Sequence, residues 1–378
     1  MPRIDTVVRF GAHVAPAILL AACVPAAPPV AVKAPPPPPV ARPTLVAPPI
    51  DATSATPRPR RSDEPPAALL NAVQALGAGF QGQVAISVRD VDRGWMVAWN
   101  GDRPHPQQSV SKLWVAIAVF DAIDHARLSL ATPVTVTRSD LTVFHQPIRP
   151  LVGPNGYRTT VGALLECALT RSDNTCNDVL LWKVGGPAAI RRMLKEKGVN
   201  GVGFGPGERE LQAKTAGLVW RKEWAGGWGF LQARAAMPAA ERRKALDRYL
   251  AAPYDGATAN GITLGLSLLA QDKLLSHGST DRLFRIMLAS KTGPLRLKSG
   301  LRPGWKIAHK TGTGQELGNL ATGYNDVGLL TAPDGHRYAV AVMIASTRQP
   351  IPVRMRLMGD VTRAVIRTAE GGASSLSG

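Results

Sequence analysis

Short segments with the apolar period of a β-strand occur near both ends of the chain. The first two flank an Asp-Arg-Gly turn at residues 92–94, which predicts a β-hairpin. A Pro-Asp-Gly turn at 333–335 separates the last two. The predicted strands cover residues 84–88, 95–99, 305–309, 324–331 and 338–346.

Helical patterns dominate between these two groups of strands, from residue 109 to about 288. A further amphipathic helix is predicted at about 353–368. This order predicts an α+β fold, an α/β sandwich plus an all-helical lobe, in which both chain ends build one antiparallel sheet. We expect a cleft where the sheet meets the helical lobe.

Residues 1–23 have the pattern of a signal peptide. Arg3 and Arg9 precede an apolar segment at 15–22 that is too short and too rich in alanine to span a membrane. The segment ends in Leu-Ala-Ala-Cys at 20–23, which resembles a bacterial lipobox and predicts lipidation of Cys23. A plain signal peptide with an incidental cysteine is the alternative.

Residues 24–66 form a predicted disordered linker that holds 15 of the 32 prolines. Such a segment packs no core and prefers an extended polyproline II conformation. At about 3.1 Å per residue it would reach on the order of 100 Å. This length suits an exported, periplasmic enzyme that is lipid-anchored to a bacterial membrane. A linker without a specific role and a proline-rich ligand for a partner domain are the alternatives.

The folded body is predicted over residues 67–372, with a short tail at 373–378. Apolar residues make up 45% of the 378-residue chain, which is enough for a sizeable core. The net charge is +18, but no nucleic-acid module and no basic run with interleaved aromatics accompanies it. We therefore expect no nucleic-acid partner. Attraction to anionic envelope polymers or lipids, or simply a basic surface, explains the charge.

The three cysteines form no CxxC or His/Cys cluster, so the sequence predicts no metal and no cofactor. Cys167 and Cys176 lie in a helical context. We interpret them as small buried apolar side chains rather than as a disulfide bridge.

The first of three candidate chemical motifs is Ser-Val-Ser-Lys at residues 109–112, which opens an apolar helical stretch. Positions i and i+3 share a helix face, so Lys112 can lie beside the Ser109 hydroxyl. A buried lysine can be neutral and can take the proton of that hydroxyl. A helix N-cap for Ser109 and a solvated charge for Lys112 are the alternatives.

The second motif is Ser-Asp-Asn at 172–174, whose side chains point into a cleft or cap a helix. The third is Lys-Thr-Gly-Thr-Gly at 310–314, directly after the predicted strand 305–309. A lysine and two hydroxyls there suit an anionic group, and the glycines let a ligand lie against the backbone. A second Lys-Thr-Gly at 291–293 follows a helical run, and we reject it as the third motif.

In this order, S-x-x-K, S-D-N and K-T-G are found in penicillin-binding proteins and class A β-lactamases. Over about residues 67–370 the chain resembles the serine β-lactamase and D,D-peptidase superfamily, and class A most closely. Segments 140–144 and 291–305 are similar to class A as well. The resemblance implies a β-lactamase/transpeptidase-like fold and a β-lactam or peptidoglycan peptide as substrate, and we expect a monomer.

The resemblance also implies a role for each motif residue. Ser109 is the nucleophile, Lys112 its general base, and Ser172 passes the proton to the leaving nitrogen under the field of Lys310. The backbone N–H groups of Ser109 and Thr313 form the oxyanion hole. The implied substrate contacts are Asn174 on the side-chain amide, Thr311, Gly312, Thr313 and Arg296 around the carboxylate, and Phe144 at the cleft rim. A solvated charge for Arg296 and ordinary packing for Phe144 are the alternatives.

Glu208 separates the two enzyme types. Class A enzymes use a glutamate to activate water against the acyl-enzyme, and D,D-peptidases lack it. Glu208 stands at the class A spacing after Ser172, and residues 208–212 resemble the class A E-x-x-L-N pattern with Gln212 in place of Asn. The alternative is a pair of surface glutamates.

The sequence departs from class A around this glutamate. Pro206 replaces an arginine that braces the loop, and Gln212 replaces an asparagine that helps to hold the water. An insertion follows at about 213–257. We interpret its three tryptophans as packing the insertion onto the body, with a lid over the cleft or a membrane-facing patch as alternatives. They are Trp220, Trp224 and Trp228.

The sequence thus predicts a tethered serine hydrolase that opens β-lactams through an acyl-enzyme on Ser109, deacylated by water that Glu208 activates. The first alternative is a D,D-peptidase or penicillin-binding protein that acts on peptidoglycan peptides. The second is a non-catalytic envelope-binding lipoprotein on the same fold.

Overall fold

A computed structural model of the chain describes residues 64–374. The predicted signal peptide, the lipidation site Cys23 and almost all of the predicted linker lie outside these residues. The strands are β1 (Gln83–Asp90), β2 (Met96–Trp99), β3 (His105–Pro106), β4 (Pro133–Val136), β5 (Tyr157–Thr160), β6 (Gly256–Ala257), β7 (Lys306–Gly312), β8 (Glu316–Leu317), β9 (Leu320–Thr331) and β10 (Arg337–Thr347). The helices are α1 (Ala67–Gly79), α2 (Lys112–Asp124), α3 (Val161–Thr170), α4 (Asn174–Lys183), α5 (Gly186–Glu196), α6 (Glu208–Thr215), α7 (Gly229–Ala236), α8 (Ala239–Ala251), α9 (Ala259–Ala270), α10 (His277–Leu288) and α11 (Ile351–Ser374).

The main sheet is antiparallel and has the strand order β2-β1-β10-β9-β7, with β8 paired to β9. The predicted assembly from both chain ends is confirmed, since β1 pairs with β10 in a register that places Val88 opposite Val340. The sheet leaves β7, which carries the Lys-Thr-Gly motif, at the edge that adjoins the helical lobe.

Both faces of the sheet are buried, because successive residues of a strand point to opposite sides. On β1, Ile86 packs into the core that α1 and α11 cover, together with Leu69 and Met358. Its neighbour Ala85 faces the other core, which includes Trp114 of α2. Helix α2 is buried over nearly its whole length, as expected of a helix that is apolar on all sides. This central helix fixes the position of the residues at its N-terminus.

A disulfide bridge joins Cys167 in α3 to Cys176 in α4, with their Cα atoms 6.2 Å apart. The expectation of two unlinked, buried cysteines was therefore wrong. Helix periodicity within one segment could not reveal the pairing, because the chain turns between the two helices and brings the cysteines together. By restricting the unfolded chain, a bridge over so short a loop contributes about 2–3 kcal/mol to the stability of the turn that carries the Ser-Asp-Asn motif.

The insertion folds into a short 3₁₀ turn at Lys222–Trp224 followed by α7 and α8. Trp220 and Trp224 pack around Phe230 together with Val143 of the body, which confirms the packing interpretation for these two tryptophans. Trp228 is 66% exposed and lies outside that cluster. Within the described part of the chain, no helix is long and apolar enough to cross a membrane.

Candidate active site

A cleft of about 510 Å³ opens between β7 and the helical lobe. All three motifs contribute to it or to its wall, and the predicted water-activating residue lines it as well. The predicted site residues that line the cleft directly are Ser109, Phe144, Ser172, Asn174, Glu208, Arg296, Thr311 and Thr313. The structure thus brings together side chains that are far apart in sequence.

The nucleophile candidate Ser109 lies in a 3₁₀ turn, Gln108–Ser111, that leads directly into α2. Lys112 is fully buried, and its Nζ donates hydrogen bonds to Ser109 Oγ at 2.7 Å and to Asn174 Oδ1 at 2.8 Å. Its third bond is an ion pair with Glu208 Oε1. An ammonium has three N–H donors, so the site uses all of them. The alternatives of an N-cap serine and a solvated lysine were wrong.

Glu208 is buried and opens α6. Its Oε2 accepts a hydrogen bond from Gln212 Nε2 at 3.2 Å. Gln212 thus lies beside the glutamate, where the class A pattern has an asparagine. The neighbouring Glu210 is exposed and pairs with Lys214. Only one of the two glutamates is therefore on the surface, and the surface-pair alternative was wrong for Glu208.

A carboxylate holds the start of α6 in place. The Asp178 carboxylate accepts a hydrogen bond from the backbone N–H of Glu208, and its two oxygens lie 3.1 Å and 3.2 Å from that nitrogen. Burial, followed by the charge of Glu208, raises the pKa of Asp178 to about 6. Gly207 adopts a left-handed φ of 97° immediately before the helix, which glycine adopts without strain. These contacts brace the loop in which Pro206 stands in place of an arginine.

Ser172 points its hydroxyl into the cleft from the opposite side. Its backbone φ is +58°, an uncommon value for a non-glycine residue, and such positions cluster at functional sites. Lys310 Nζ donates to Ser172 Oγ at 2.8 Å and to the carbonyl of Thr311 at 2.9 Å. Lys310 is fully buried, and this burial, reinforced by the charges of Lys112 and Arg296, lowers its pKa well below the usual value. An anion bound here would offset that cost.

The Ser-Asp-Asn motif also has a structural role. Asp173 is the N-cap of α4 and accepts the N–H of Cys176 at 2.9 Å. Asn174 accepts from Lys112 through Oδ1, and its Nδ2 donates to the carbonyl of Val143 at 2.9 Å. An amide nitrogen has two hydrogens, so one remains for a substrate.

Arg296 reaches the motif at 310–314 from a neighbouring turn and is buried. Its Nη2 donates to Thr313 Oγ1 at 2.7 Å and its Nη1 to the carbonyl of Gly312 at 3.0 Å, while the guanidinium stacks on Tyr324 at 3.8 Å. The alternative of a solvated loop charge was therefore wrong. The Lys-Thr-Gly at 291–293, which we rejected as the third motif, also contributes to the cleft wall, because Thr292 Oγ1 lies 2.8 Å from Thr311 Oγ1.

The strand β7 approaches the 3₁₀ turn that carries Ser109 (the nucleophile turn, Gln108–Ser111) so closely that Gly312 has no room for a side chain. A Cβ at this position would collide with the backbone carbonyl of Gln107. The glycine thus allows the hydroxyls of Thr311 and Thr313 to share one cleft with Ser109.

A hydrogen-bonded chain behind Ser109 could not be found from the sequence. Gln108 has a φ of +52°, and its backbone N–H donates to Asp255 Oδ2 at 2.6 Å. Its side-chain Nε2 donates to Tyr249 Oη at 2.6 Å, and Tyr249 in turn donates to Asp255 Oδ1 at 2.7 Å. Its Oε1 accepts from Gln212 Nε2 at 3.2 Å. The insertion, through Tyr249 of α8, is therefore connected to Glu208.

The pKa values of Tyr249 and Asp255, the two titratable members of this hydrogen-bonded network, are shifted from their usual ranges. Burial, followed by the negative charge of Asp255, raises the pKa of Tyr249 well above its usual value. Burial also raises the pKa of Asp255 to about 6. At neutral pH Tyr249 is therefore a donor and Asp255 an acceptor, which fixes the direction of the bonds around Gln108. No motif signals such a network, because its members meet only in the folded chain.

Phe144 is 42% exposed at the cleft rim, as predicted, and also packs edge-on against Phe230 of α7 at 5.4 Å between ring centres. Both interpretations of this residue hold. The insertion therefore forms part of the cleft wall.

The β-lactamase enzyme family matches residues 68–369 of this chain. The chain is 27% identical over 265 residues to β-lactamase VEB-1 of Pseudomonas aeruginosa, covering 70% of this chain and 78% of that protein. It is 26% identical over 306 residues to the extended-spectrum β-lactamase PER-1 of the same organism, covering 81% and 88%.

Two solved structures have the same fold. A β-lactamase from Chitinophaga pinensis is 26% identical, with a TM-score of 0.65 over 80% of this chain and 99% of that chain. The last common ancestor of Gram-negative bacteria class A β-lactamase is 27% identical, with a TM-score of 0.63 over 80% and 100%. With the three motifs and Glu208 gathered in one cleft, the chain belongs to the β-lactamase enzyme family and is a serine β-lactamase of class A.

Proposed function

We propose that the protein hydrolyses β-lactams in two steps, acylation of Ser109 and deacylation by water that Glu208 activates. The observation that carries this proposal is the continuous row of contacts from Ser109 Oγ through Lys112 Nζ to the buried Glu208 carboxylate. A serine needs a partner for its proton in the first step, and an ester needs an activated water in the second. The row supplies both from one cluster.

In the first step, Ser109 Oγ bonds to the carbonyl carbon of the lactam. Lys112 Nζ lies 2.7 Å from the serine hydroxyl and, as a free amine, accepts the serine proton while the Glu208 carboxylate stays ionised for the second step. The N–H groups of Ser109 and Thr313 are the proposed donors to the oxyanion.

When the lactam C–N bond breaks, the nitrogen needs a proton. Ser172 supplies it and is reprotonated through Lys310, whose Nζ lies 2.8 Å from Ser172 Oγ. The same lysine, with Thr311, Thr313 and Arg296, attracts the substrate carboxylate. Asn174 retains one amide hydrogen for the carbonyl of the substrate side arm.

In the second step, the Glu208 carboxylate takes a proton from water as that water attacks the Ser109 ester. When the ester C–O bond breaks, Lys112 returns to Ser109 Oγ the proton that it took in the first step. Glu208 then releases its proton and Lys310 regains one through solvent, so the cycle closes. Gln212 is proposed to hold the water together with Glu208, because its amide already contacts the carboxylate. A D,D-peptidase has no such base, so the buried Glu208 favours the β-lactamase over that alternative.

The purified protein mixed with a chromogenic cephalosporin tests this proposal. Steady colour development over many turnovers supports it. A single stoichiometric burst that then stops, together with cleavage of a D-Ala-D-Ala peptide, would support the peptidase instead. Absence of any labelling by β-lactams would support the non-catalytic binding protein.

Replacing Tyr249 by phenylalanine is expected to lower kcat by about tenfold and to lengthen the lifetime of the acyl-enzyme. The change removes the hydroxyl that orients Gln108, and through Gln108 the Gln212 amide beside Glu208. Loss of one buried hydrogen bond of this kind costs about 1–3 kcal/mol. Rapid-quench kinetics, which separate acylation from deacylation, are the measurement.

Tyr254 provides the matched control for this change. Its ring lies 5.8 Å from that of Tyr249, yet it is 42% exposed. Tyr254→Phe should leave both rates unchanged. Equal slowing of acylation and deacylation in Tyr249→Phe would argue for general loosening of the nucleophile turn rather than for positioning of Gln212.

We also propose that the protein is exported, acylated at Cys23 and held at a bacterial membrane by the proline-rich segment. The Leu-Ala-Ala-Cys sequence at the end of the apolar segment supports this proposal. Membrane fractionation of the wild type and of Cys23→Ser tests it, since equal release of both into the soluble fraction would contradict lipidation.

A further inference from the structure

Arg234, on α7 of the insertion, lines the same cleft as Ser109. Its side chain is half buried, and its guanidinium carbon lies 5.8 Å from the centre of the Phe144 ring. Its Nε donates to Gln315 Oε1 at 2.7 Å and its Nη2 to the carbonyl of Glu316 at 3.3 Å. The insertion therefore places a cation in the cleft wall.

The hydrogen-bond partners of this cation are neutral. Among the described residues, no acidic side chain forms an ion pair with Arg234. Glu316, whose carbonyl accepts from Arg234, uses its carboxylate to pair with Arg354 at 3.1 Å. Nor does Nη1 of Arg234 have a hydrogen-bond partner in that part of the chain. Burial, followed by the charge of Arg242, lowers the pKa of Arg234. A partly desolvated guanidinium without a counter-ion favours an incoming carboxylate.

Arg234 and Arg296 occupy different parts of the cleft. Arg296 contacts residues 312–313 and belongs to the proposed pocket for the substrate's ring carboxylate. Arg234 lies by Gln315, whose Nε2 donates to the carbonyl of Gln212 at 2.9 Å, and by Phe144 at the rim. Arg234 therefore lies on the side of the cleft that holds Glu208 and Gln212. Phe144 directly follows Val143, whose carbonyl accepts from the Asn174 amide. An acyl side arm held by Asn174 therefore extends toward Arg234.

We propose that Arg234 binds a carboxylate on the acyl side arm of the substrate, so that the enzyme prefers β-lactams with an anionic arm. The inference builds on the proposed function, because attack by Ser109 is what fixes the direction of the arm. One charge-assisted hydrogen bond is sufficient for about a tenfold preference.

Two cephalosporins that share their ring system and 3-vinyl group test the preference. Cefixime carries a carboxymethyl group on the oxime of its arm, and cefdinir carries the free oxime. We expect Arg234→Gln to lower the ratio of kcat/KM for cefixime to that for cefdinir by about tenfold. The ratio cancels any effect that loss of the Gln315 contact has on both substrates.

Arg243→Gln is the matched control. Arg243 lies on α8 of the same insertion, is exposed, and pairs with Asp247 at 2.9 Å. This change should leave the ratio as it is in the wild type. Arg234→Lys, which keeps the charge, should retain most of the preference.

An unchanged ratio in Arg234→Gln, with both substrates still hydrolysed, would overturn the inference and leave the proposed function intact. Failure of the wild type to hydrolyse both cefixime and cefdinir, with the chromogenic cephalosporin still turned over, would overturn the inference alone. Failure on the chromogenic substrate as well would overturn the proposed function. If Arg234→Gln does not fold, Arg234→Met replaces it, because its apolar side chain can still pack on Phe144 but carries no charge. An unchanged ratio in Arg234→Met would then count against Arg234.

Discussion

Replacing Ser109 by alanine should abolish turnover, with kcat/KM for a chromogenic cephalosporin falling by about 10⁴-fold or more. Ser172 also lines the cleft, but it does not take the place of Ser109 in the proposed mechanism, because its Oγ is held by Lys310 across the cleft. The effect is this large because loss of a covalent nucleophile removes the whole acyl-enzyme pathway rather than one contact. Mass spectrometry of protein incubated with a slowly hydrolysed β-lactam should show the added mass on the wild type and none on the variant.

Ser111→Ala is the matched control for the nucleophile. Ser111 lies in the same turn, but its hydroxyl donates to the Gln108 carbonyl at 2.8 Å instead of facing Lys112. This variant should still be labelled on the peptide that contains Ser109. Labelling of Ser109→Ala at any other residue would exclude Ser109 as the nucleophile.

Glu208→Gln should convert the enzyme into a β-lactam trap. Glutamine has nearly the volume of glutamate, so it can occupy the buried site, but it cannot accept a proton from water. Removal of a general base typically lowers the rate of its step by 10²–10⁴-fold, so we expect deacylation to slow by about 10³-fold. The acyl-enzyme should then accumulate in a stoichiometric burst followed by very slow turnover, which stopped-flow absorbance and intact-protein mass spectrometry would both record.

Glu210→Gln separates this effect from a general change in helix α6. Glu210 lies two residues further on, is exposed and pairs with Lys214 at 3.5 Å. An exposed i,i+4 pair of this kind contributes only a few tenths of a kcal/mol, so this variant should turn over like the wild type. Unimpaired deacylation in Glu208→Gln would mean that another group activates the water.

These two predictions depend on residues that the sequence already identified. S-x-x-K is a statement about one helix face, so the contact between Ser109 and Lys112 follows from the geometry of a helical turn. The order of the three motifs, with a glutamate at the class A spacing, was sufficient to name Ser172, Glu208 and Lys310. Strand and helix periods likewise predicted the sheet from both chain ends and the helical lobe between them.

The sequence misled where a pairing depends on how distant segments meet. Cys167 and Cys176 are nine residues apart in a helical context, and only the turn between α3 and α4 brings them into a disulfide. Arg296 could equally have been a solvated charge until packing placed it on Tyr324 and against Thr313.

The sequence by itself thus determined the fold class and identified the candidate nucleophile, its candidate base and the candidate water-activating glutamate, because these are encoded in local spacing and motif order. Only the tertiary structure decided what the insertion does. It showed that α8 brings Tyr249 to the nucleophile turn and that α7 brings Arg234 to the cleft wall. The physical reason is that hydrogen bonds and burial between distant segments depend on the relative placement of whole elements, which no periodicity within a single segment records.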